Sequence, residues 1–181
     1  SSQIIFFFNT IYLLKPKSDF SINMVDSLVV NTDLFVSQIS FYDVDGNGEN
    51  DMIISAGPDY NGVNTILVSY SINEKFSSTF DTIFSEGTNI YGWCFTDLHG
   101  NGKSDFLVTL NNEKKILVIE DFANSKNPTY KIDVDTRTHD LFAIDLNNDN
   151  NDEVVYYENI TNNLVIMSNI SESNTKFDYY Y

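Results

Sequence analysis

Cysteine is nearly missing from this sequence: Cys94 is its single copy. An internal disulfide is thereby excluded, and so is a zinc centre built on thiolates. Compartment is left open, because a secreted domain with a large core does without bridges. Basic residues are scarce as well. Ten Lys and Arg face 26 Asp and Glu, giving a formal net charge of −16 at pH 7. A field of that sign repels phosphate, so no nucleic acid is expected as a partner, and an anionic membrane surface is disfavoured. Helical periodicity is absent too, with no sustained apolar stripe at i, i+3, i+4, i+7. The longest apolar run, residues 4–14, is interrupted by Asn9 and Thr10 and is too short to cross a bilayer. It lacks a basic stretch before it and a small-residue cleavage site after it, so it reads as a strand and not a signal peptide. No membrane span is expected in this chain. It starts at Ser1 without a Met, which is consistent with processing or truncation.

What is present is folded protein. With 181 residues the chain suits one domain, and 42% hydrophobic and 14% aromatic content is too rich for an acidic disordered tail. Short apolar runs, many of them alternating, are separated by Asn-, Asp- and Gly-rich turns such as 57–62 and 124–128. The cleanest alternation is 65–72, where Ile66, Val68, Tyr70 and Ile72 share one side. Further strands are expected at 4–14, 19–30, 35–42, 52–55, 91–96, 106–110, 116–120, 141–144, 154–157, 164–168 and 175–181. The fold class is all-β.

Three segments align with one another. Residues 43–51 read Asp-Val-Asp-Gly-Asn-Gly-Glu-Asn-Asp, residues 97–105 Asp-Leu-His-Gly-Asn-Gly-Lys-Ser-Asp, and residues 145–153 Asp-Leu-Asn-Asn-Asp-Asn-Asn-Asp-Glu. Their first acids lie 54 and 48 residues apart. Each loop precedes a short apolar strand, a polar turn and a second apolar strand. Repeating β units of roughly 50 residues suggest four-stranded propeller blades. The repeats fall near 35–84, 91–134 and 141–181, with 1–34 supplying strands of a preceding blade. That makes about three to four blades, whereas closed propellers have about four to eight. An arc leaves exposed edges. The chain is therefore expected to belong to a larger propeller, or to be completed by a partner or another copy.

Within each loop the side chains at positions 1, 3, 5 and 9 carry donor atoms, all of them oxygens but for the His99 imidazole: Asp43, Asp45, Asn47 and Asp51; Asp97, His99, Asn101 and Asp105; Asp145, Asn147, Asp149 and Glu153. Position 6 is Gly48, Gly102 or Asn150, residues that tolerate positive φ and a sharp turn. Oxygens on alternate residues of a tight loop can wrap a calcium ion at roughly 2.3–2.6 Å, while magnesium demands stricter octahedral geometry. A transition metal would want more imidazole or thiolate. The loops are not EF-hands, because position 12 holds Ile54, Val108 and Tyr156 in β-like runs instead of a bidentate Glu leading into a helix.

This pattern, preceded by an aromatic and followed by an apolar strand, resembles the FG-GAP/VCBS repeat of integrin-α-like β-propellers. The likeness covers roughly residues 35–170 and is strongest over 41–70, including Ala56-Gly57-Pro58. It implies a calcium-binding loop between the first two strands of each blade. The implied ligands are the side chains at 1, 3, 5 and 9 and the carbonyl at 7. In the first loop these are Asp43, Asp45, Asn47, the Glu49 carbonyl and Asp51. In the second they are Asp97, Asn101, the Lys103 carbonyl and Asp105, with His99 departing from an oxygen ligand. In the third they are Asp145, Asn147, Asp149, the Asn151 carbonyl and Glu153.

No nucleophile–base pair, phosphate loop or catalytic metal constellation emerges, so the chain is not expected to be an enzyme. His99 and His139 stand apart, Cys94 reads as a buried inert thiol, and the Asp133–Asp135 stretch reads as a solvated turn. Asn159 and Asn169 fit the N-glycosylation pattern. The resemblance implies an extracellular or cell-surface, calcium-stabilised scaffold for protein–protein interaction or adhesion. Its partner is then a protein ligand or a completing propeller subunit. The alternatives are a glycan-binding lectin and the scaffold of a polysaccharide-cleaving enzyme.

Overall fold

The computed structural model describes residues 3–7, 10–16, 22–29, 36–57, 64–73, 75–86, 90–110, 112–135 and 137–180. Strands β1 (Gln3–Phe7), β2 (Thr10–Pro16) and β3 (Ile22–Val29) form an antiparallel sheet in chain order. Next come β4 (Val36–Tyr42), β5 (Asp51–Ala56) and β6 (Asn64–Ser69), the short hairpin β7 (Ser71–Ile72) and β8 (Lys75–Phe76), and β9 (Asp81–Glu86). Here β4, β5, β6 and β9 form the first four-stranded sheet. The second consists of β10 (Trp93–Thr96), β11 (Asp105–Leu110), β12 (Lys115–Ile119) and β13 (Tyr130–Asp133). The third is built from β14 (Thr138–Ile144), β15 (Glu153–Glu158), β16 (Asn163–Ser168) and β17 (Lys176–Tyr180). All pairings are antiparallel between neighbours, and no helix occurs among the described residues.

Three strand expectations change in detail. Residues 4–14 are not one strand but the hairpin β1–β2, in which Phe7 pairs with Thr10 at the polar interruption of the run. The alternation over 65–72 breaks at Tyr70. There the Ser71 amide turns aside to the Asp51 carboxylate, and Ile72 ends 68% exposed. Of the solvated turn expected at 133–135, Asp133 closes β13 and pairs with Lys115, and Val134 is buried, while Asp133 and Asp135 are exposed as expected. Within the strand expected at 175–181, β17 (Lys176–Tyr180) is the fourth strand of the third sheet. The turn expected at 57–62 lies mostly outside the described residues.

Side-chain alternation explains how the sheets stack. In the first sheet, Ile53, Ile66 and Val68 face Trp93, Phe95, Phe106 and Val108 of the second sheet in one apolar cluster. Leu107, Ile116, Val118 and Ile132, on the opposite face of the second sheet, meet Val154, Tyr156, Val165 and Met167 of the third. The first sheet's other face, with Met52 and Ile54, packs with Ile11 of β2. The second sheet is thus covered on both faces, and every residue of β11 is buried. Such a strand reads as a continuous apolar run and not as an alternation. The first strands converge: β4, β10 and β14 border one cavity of about 340 Å³ through Ser40, Tyr42, Cys94, Phe95, Leu141 and Phe142. Asn supplies the tight turns, as Asn73, Asn148, Asn150, Asn162 and Asn169 are among the residues with positive φ.

Candidate metal centre

Each acidic loop joins the first strand of its sheet to the second: 43–50 between β4 and β5, 97–104 between β10 and β11, and 145–152 between β14 and β15. The three share one hydrogen-bond plan. The position-1 carboxylate accepts from the backbone N–H groups of positions 5 and 6. These are Asn47 (3.0 Å) and Gly48 (2.8 Å), Asn101 (3.0 Å) and Gly102 (2.7 Å), and Asp149 (3.2 Å) and Asn150 (3.0 Å). The position-5 side chain then accepts from the position-7 amide, as with Asn47 and Glu49 (2.7 Å), Asn101 and Lys103 (2.8 Å), and Asp149 and Asn151 (2.8 Å). Position 6 is left-handed in all three, as expected from its residue types. Position 4 is also left-handed, in Gly46, Gly100 and Asn148.

Position 9 has a second duty that sequence reasoning missed. Asp51 accepts from the amides of Val44 (2.9 Å) and Ser71 (2.8 Å), and Asp105 from those of Leu98 (3.0 Å) and Asp121 (2.9 Å). Glu153 accepts from the Leu146 amide and the Asn147 side chain, each at 2.8 Å. These carboxylates clamp the loop, and the two Asp side chains also clamp the turn after the third strand. Burial pushes the Asp51 carboxyl above the usual range, helped by the charges of Asp45 and Asp43 and opposed by its two amide donors. Asp105 is raised for the same first reason.

The structure brings Asp43, Asp45 and Asp51 together, with one potential ligand atom from each lying within 4.8 Å of the others. Among the described residues no other set of three His, Cys, Asp or Glu side chains comes this close. Two oxygens on opposite sides of a calcium ion at roughly 2.4 Å would be about 4.8 Å apart, so the donor set fits such a cation. Asn47 and Glu49 lie in the same turn, and the Glu49 carboxylate accepts from the Ser71 hydroxyl at 3.1 Å. The second loop is arranged differently. The His99 imidazole lies 2.9 Å from Glu120 and the Lys103 ammonium pairs with Asp121 at 2.6 Å, so an imidazole and one cation stand beside the acids around Asp97 and Asp105. In the third loop Asp145, Asn147, Asp149, Asn151 and Glu153 share the turn without the three-acid approach of the first.

Position 8, also unmarked in the sequence reading, ties neighbouring loops together. The Ser104 hydroxyl donates to the Asp43 carbonyl and to the Tyr42 hydroxyl, both at 3.4 Å. Asp152 accepts from the Thr96 hydroxyl (2.6 Å) and the Asp97 amide (3.2 Å), and its own amide donates to the Asp97 carbonyl (3.1 Å). A polar residue at position 8 of all three copies was the available signal.

His139 stacks on Tyr91 with ring centroids 4.6 Å apart, whereas His99 faces Glu120. Cys94 is a buried free thiol, with burial pushing its pKa up to about 12. No helix among the described residues is long and apolar enough to cross a membrane. Fold and site together define an all-β chain of stacked antiparallel sheets, the three four-stranded ones each with an acidic loop after the first strand. Compared with known proteins, the chain matches no family model and no curated protein.

Proposed function

We propose that the chain is a calcium-stabilised scaffold, its sheets the successive blades of a β-propeller that serves protein–protein interaction outside the cell. The observation that carries this reading is the approach of Asp43, Asp45 and Asp51 within a loop plan used three times. Convergence of β4, β10 and β14 on one cavity supports a radial arrangement with the first strands innermost. The acidic loops then share one end of the stack, where Asp43, Asp45, Asn47, the Glu49 carbonyl and Asp51 hold calcium. The ion offsets the clustered negative charge and the cost of burying Asp51. Asn159 and Asn169 are both exposed, in keeping with glycan acceptors on a secreted protein.

Thermal melts test the metal reading. With a Kd of about 10⁻⁴ M, 1 mM calcium stabilises by about 1.4 kcal/mol per site. In a chain of this size that raises Tm by roughly 3–6 °C per site. The gain is expected to be reversed by EGTA, to be much smaller with magnesium, and to shrink in Asp45→Ala. A Tm indifferent to calcium in the intact chain overturns the proposal.

A further inference from the structure

The third sheet has one face that no element packs against among the described residues. Phe142 (63% exposed), Ile144 (51%), Tyr157 (38%), Leu164 (45%) and Tyr180 (54%) all lie on it. The register places them together: Tyr157 pairs with Leu164 and Leu164 with Tyr180, while Phe142 and Ile144 share the outward parity of β14. Apolar side chains this large and contiguous mark an interaction surface on a soluble body.

The molecule itself contains two precedents for what fills such a face. Counted from the loops, Phe142 corresponds to Cys94, Val155 to Leu107 and Ile53, and Tyr157 to Thr109. The earlier residues are all buried: Cys94 by its cluster with the third sheet, and Leu107, Ile53 and Thr109 at 0% exposure. Leu107 is covered by the third sheet and Ile53 by the second. In both junctions position 8 of the following loop hydrogen-bonds the backbone at position 1 of the preceding one. The corresponding residue on the uncovered sheet is Asp145.

We propose that the outward face of β14–β17 docks one further four-stranded sheet of this same repeat. The partner is a polypeptide with an apolar first face and an acidic loop whose eighth residue hydrogen-bonds the Asp145 backbone. This face continues a stack that already contains two interfaces of the same kind. The four-stranded sheets of a second copy do not reproduce them, because the corresponding face of each is already packed, that of the first against Ile11. An anionic lipid surface meets a chain of net charge −16. The proposal rests on the stacked-sheet part of the functional reading and not on calcium.

Maleimide labelling of Tyr157→Cys tests it. The resident Cys94 is buried, with its thiol pushed up to about 12, so labelling reports on position 157. The variant is compared with the same chain extended after Tyr181 by a second copy of residues 134–180, which brings its own linker. Labelling is expected to be fast in the 181-residue chain and at least tenfold slower in the extended one, in calcium and in EGTA alike. An unchanged rate overturns the proposal, and so does an extension that adds no β signal in far-UV circular dichroism. Slowing of the unextended chain as its concentration rises, with doubled mass in light scattering, also overturns it, in favour of a second copy. Independently, Ile144→Lys and Leu164→Lys should leave the Tm of the 181-residue chain within 2 °C. A drop above 5 °C shows that the face is already packed and refutes the docking. A calcium-free melt identical to the calcium-bound one, with labelling still suppressed, removes the metal reading alone.

Discussion

Gly100 and Gly102 separate two reasons for a glycine within one loop. Both residues are left-handed, with φ of 60° and 77°. A Cβ on Gly102 meets nothing within 4 Å, whereas one on Gly100 falls 2.4 Å from the Asn150 carbonyl oxygen of the third loop. Gly102→Ala therefore adds only the left-handed strain of an L-residue, about 1–2 kcal/mol. Gly100→Ala adds a backbone clash across the junction of the second and third sheets, on the scale of overpacking at about 1–3 kcal/mol more. Chemical denaturation should rank the two in that order, and equal losses would show that the loops can part at no cost. The crowding is particular to the second loop: a Cβ on Gly46 meets nothing within 4 Å, and Asn148 stands at the same position of the third. The sequence displays Gly46, Gly100 and Asn148 in register, which fits their shared left-handed backbone, but only the neighbouring loop reveals what crowds Gly100.

At the scale of the element, each four-stranded sheet depends on the carboxylate that opens its second strand. Asp105 is buried and has both oxygens engaged by main-chain amides, from Leu98 within the loop and from Asp121 beyond β12. Asp105→Asn keeps the size but exchanges one acceptor for a donor, leaving a backbone N–H facing an NH₂ group. An unsatisfied buried donor costs about 1–3 kcal/mol, and the loss should be the same in EGTA as in calcium. Asp45→Ala is the contrasting case, because that carboxylate is exposed and serves the loop alone. Its loss should appear mainly as a weaker response to calcium. If Asp105→Asn is silent without calcium, position 9 is a ligand only. The strands and the loop register were legible because β propensity, alternation and Asx chemistry are local. The roles of positions 8 and 9 were not, since their partners lie on other strands or other sheets. Strand β9 (Asp81–Glu86) went unread because Asp81, Thr82, Ser85 and Glu86 dilute its apolar pattern. It holds its place by pairing with β6 and by packing Ile83 and Phe84 on the core.

For the whole molecule, stacking implies graded stability. Strands β11 and β12 lie inside the second sheet, and β15 and β16 lie inside the third, so all four have hydrogen-bonded neighbours on both sides. What differs is the second face. Phe106, Leu107, Val108, Leu117 and Val118 are covered whichever way they point, whereas Tyr157 and Leu164 point outward into solvent. In a stack where each layer touches only its neighbours, the stability of a layer grows with the number of covered faces. Native-state hydrogen exchange should therefore be slowest in β11 and β12. There the opening free energy should exceed that of β15 and β16 by about 3 kcal/mol, roughly a hundredfold in rate. Because main-chain pairing is matched between the two sets, the difference measures face burial and not strand hydrogen bonding. Equal protection across β11, β12, β15 and β16 would mean that the sheets open as one cooperative unit. The second sheet would then owe nothing extra to the layers on either side of it.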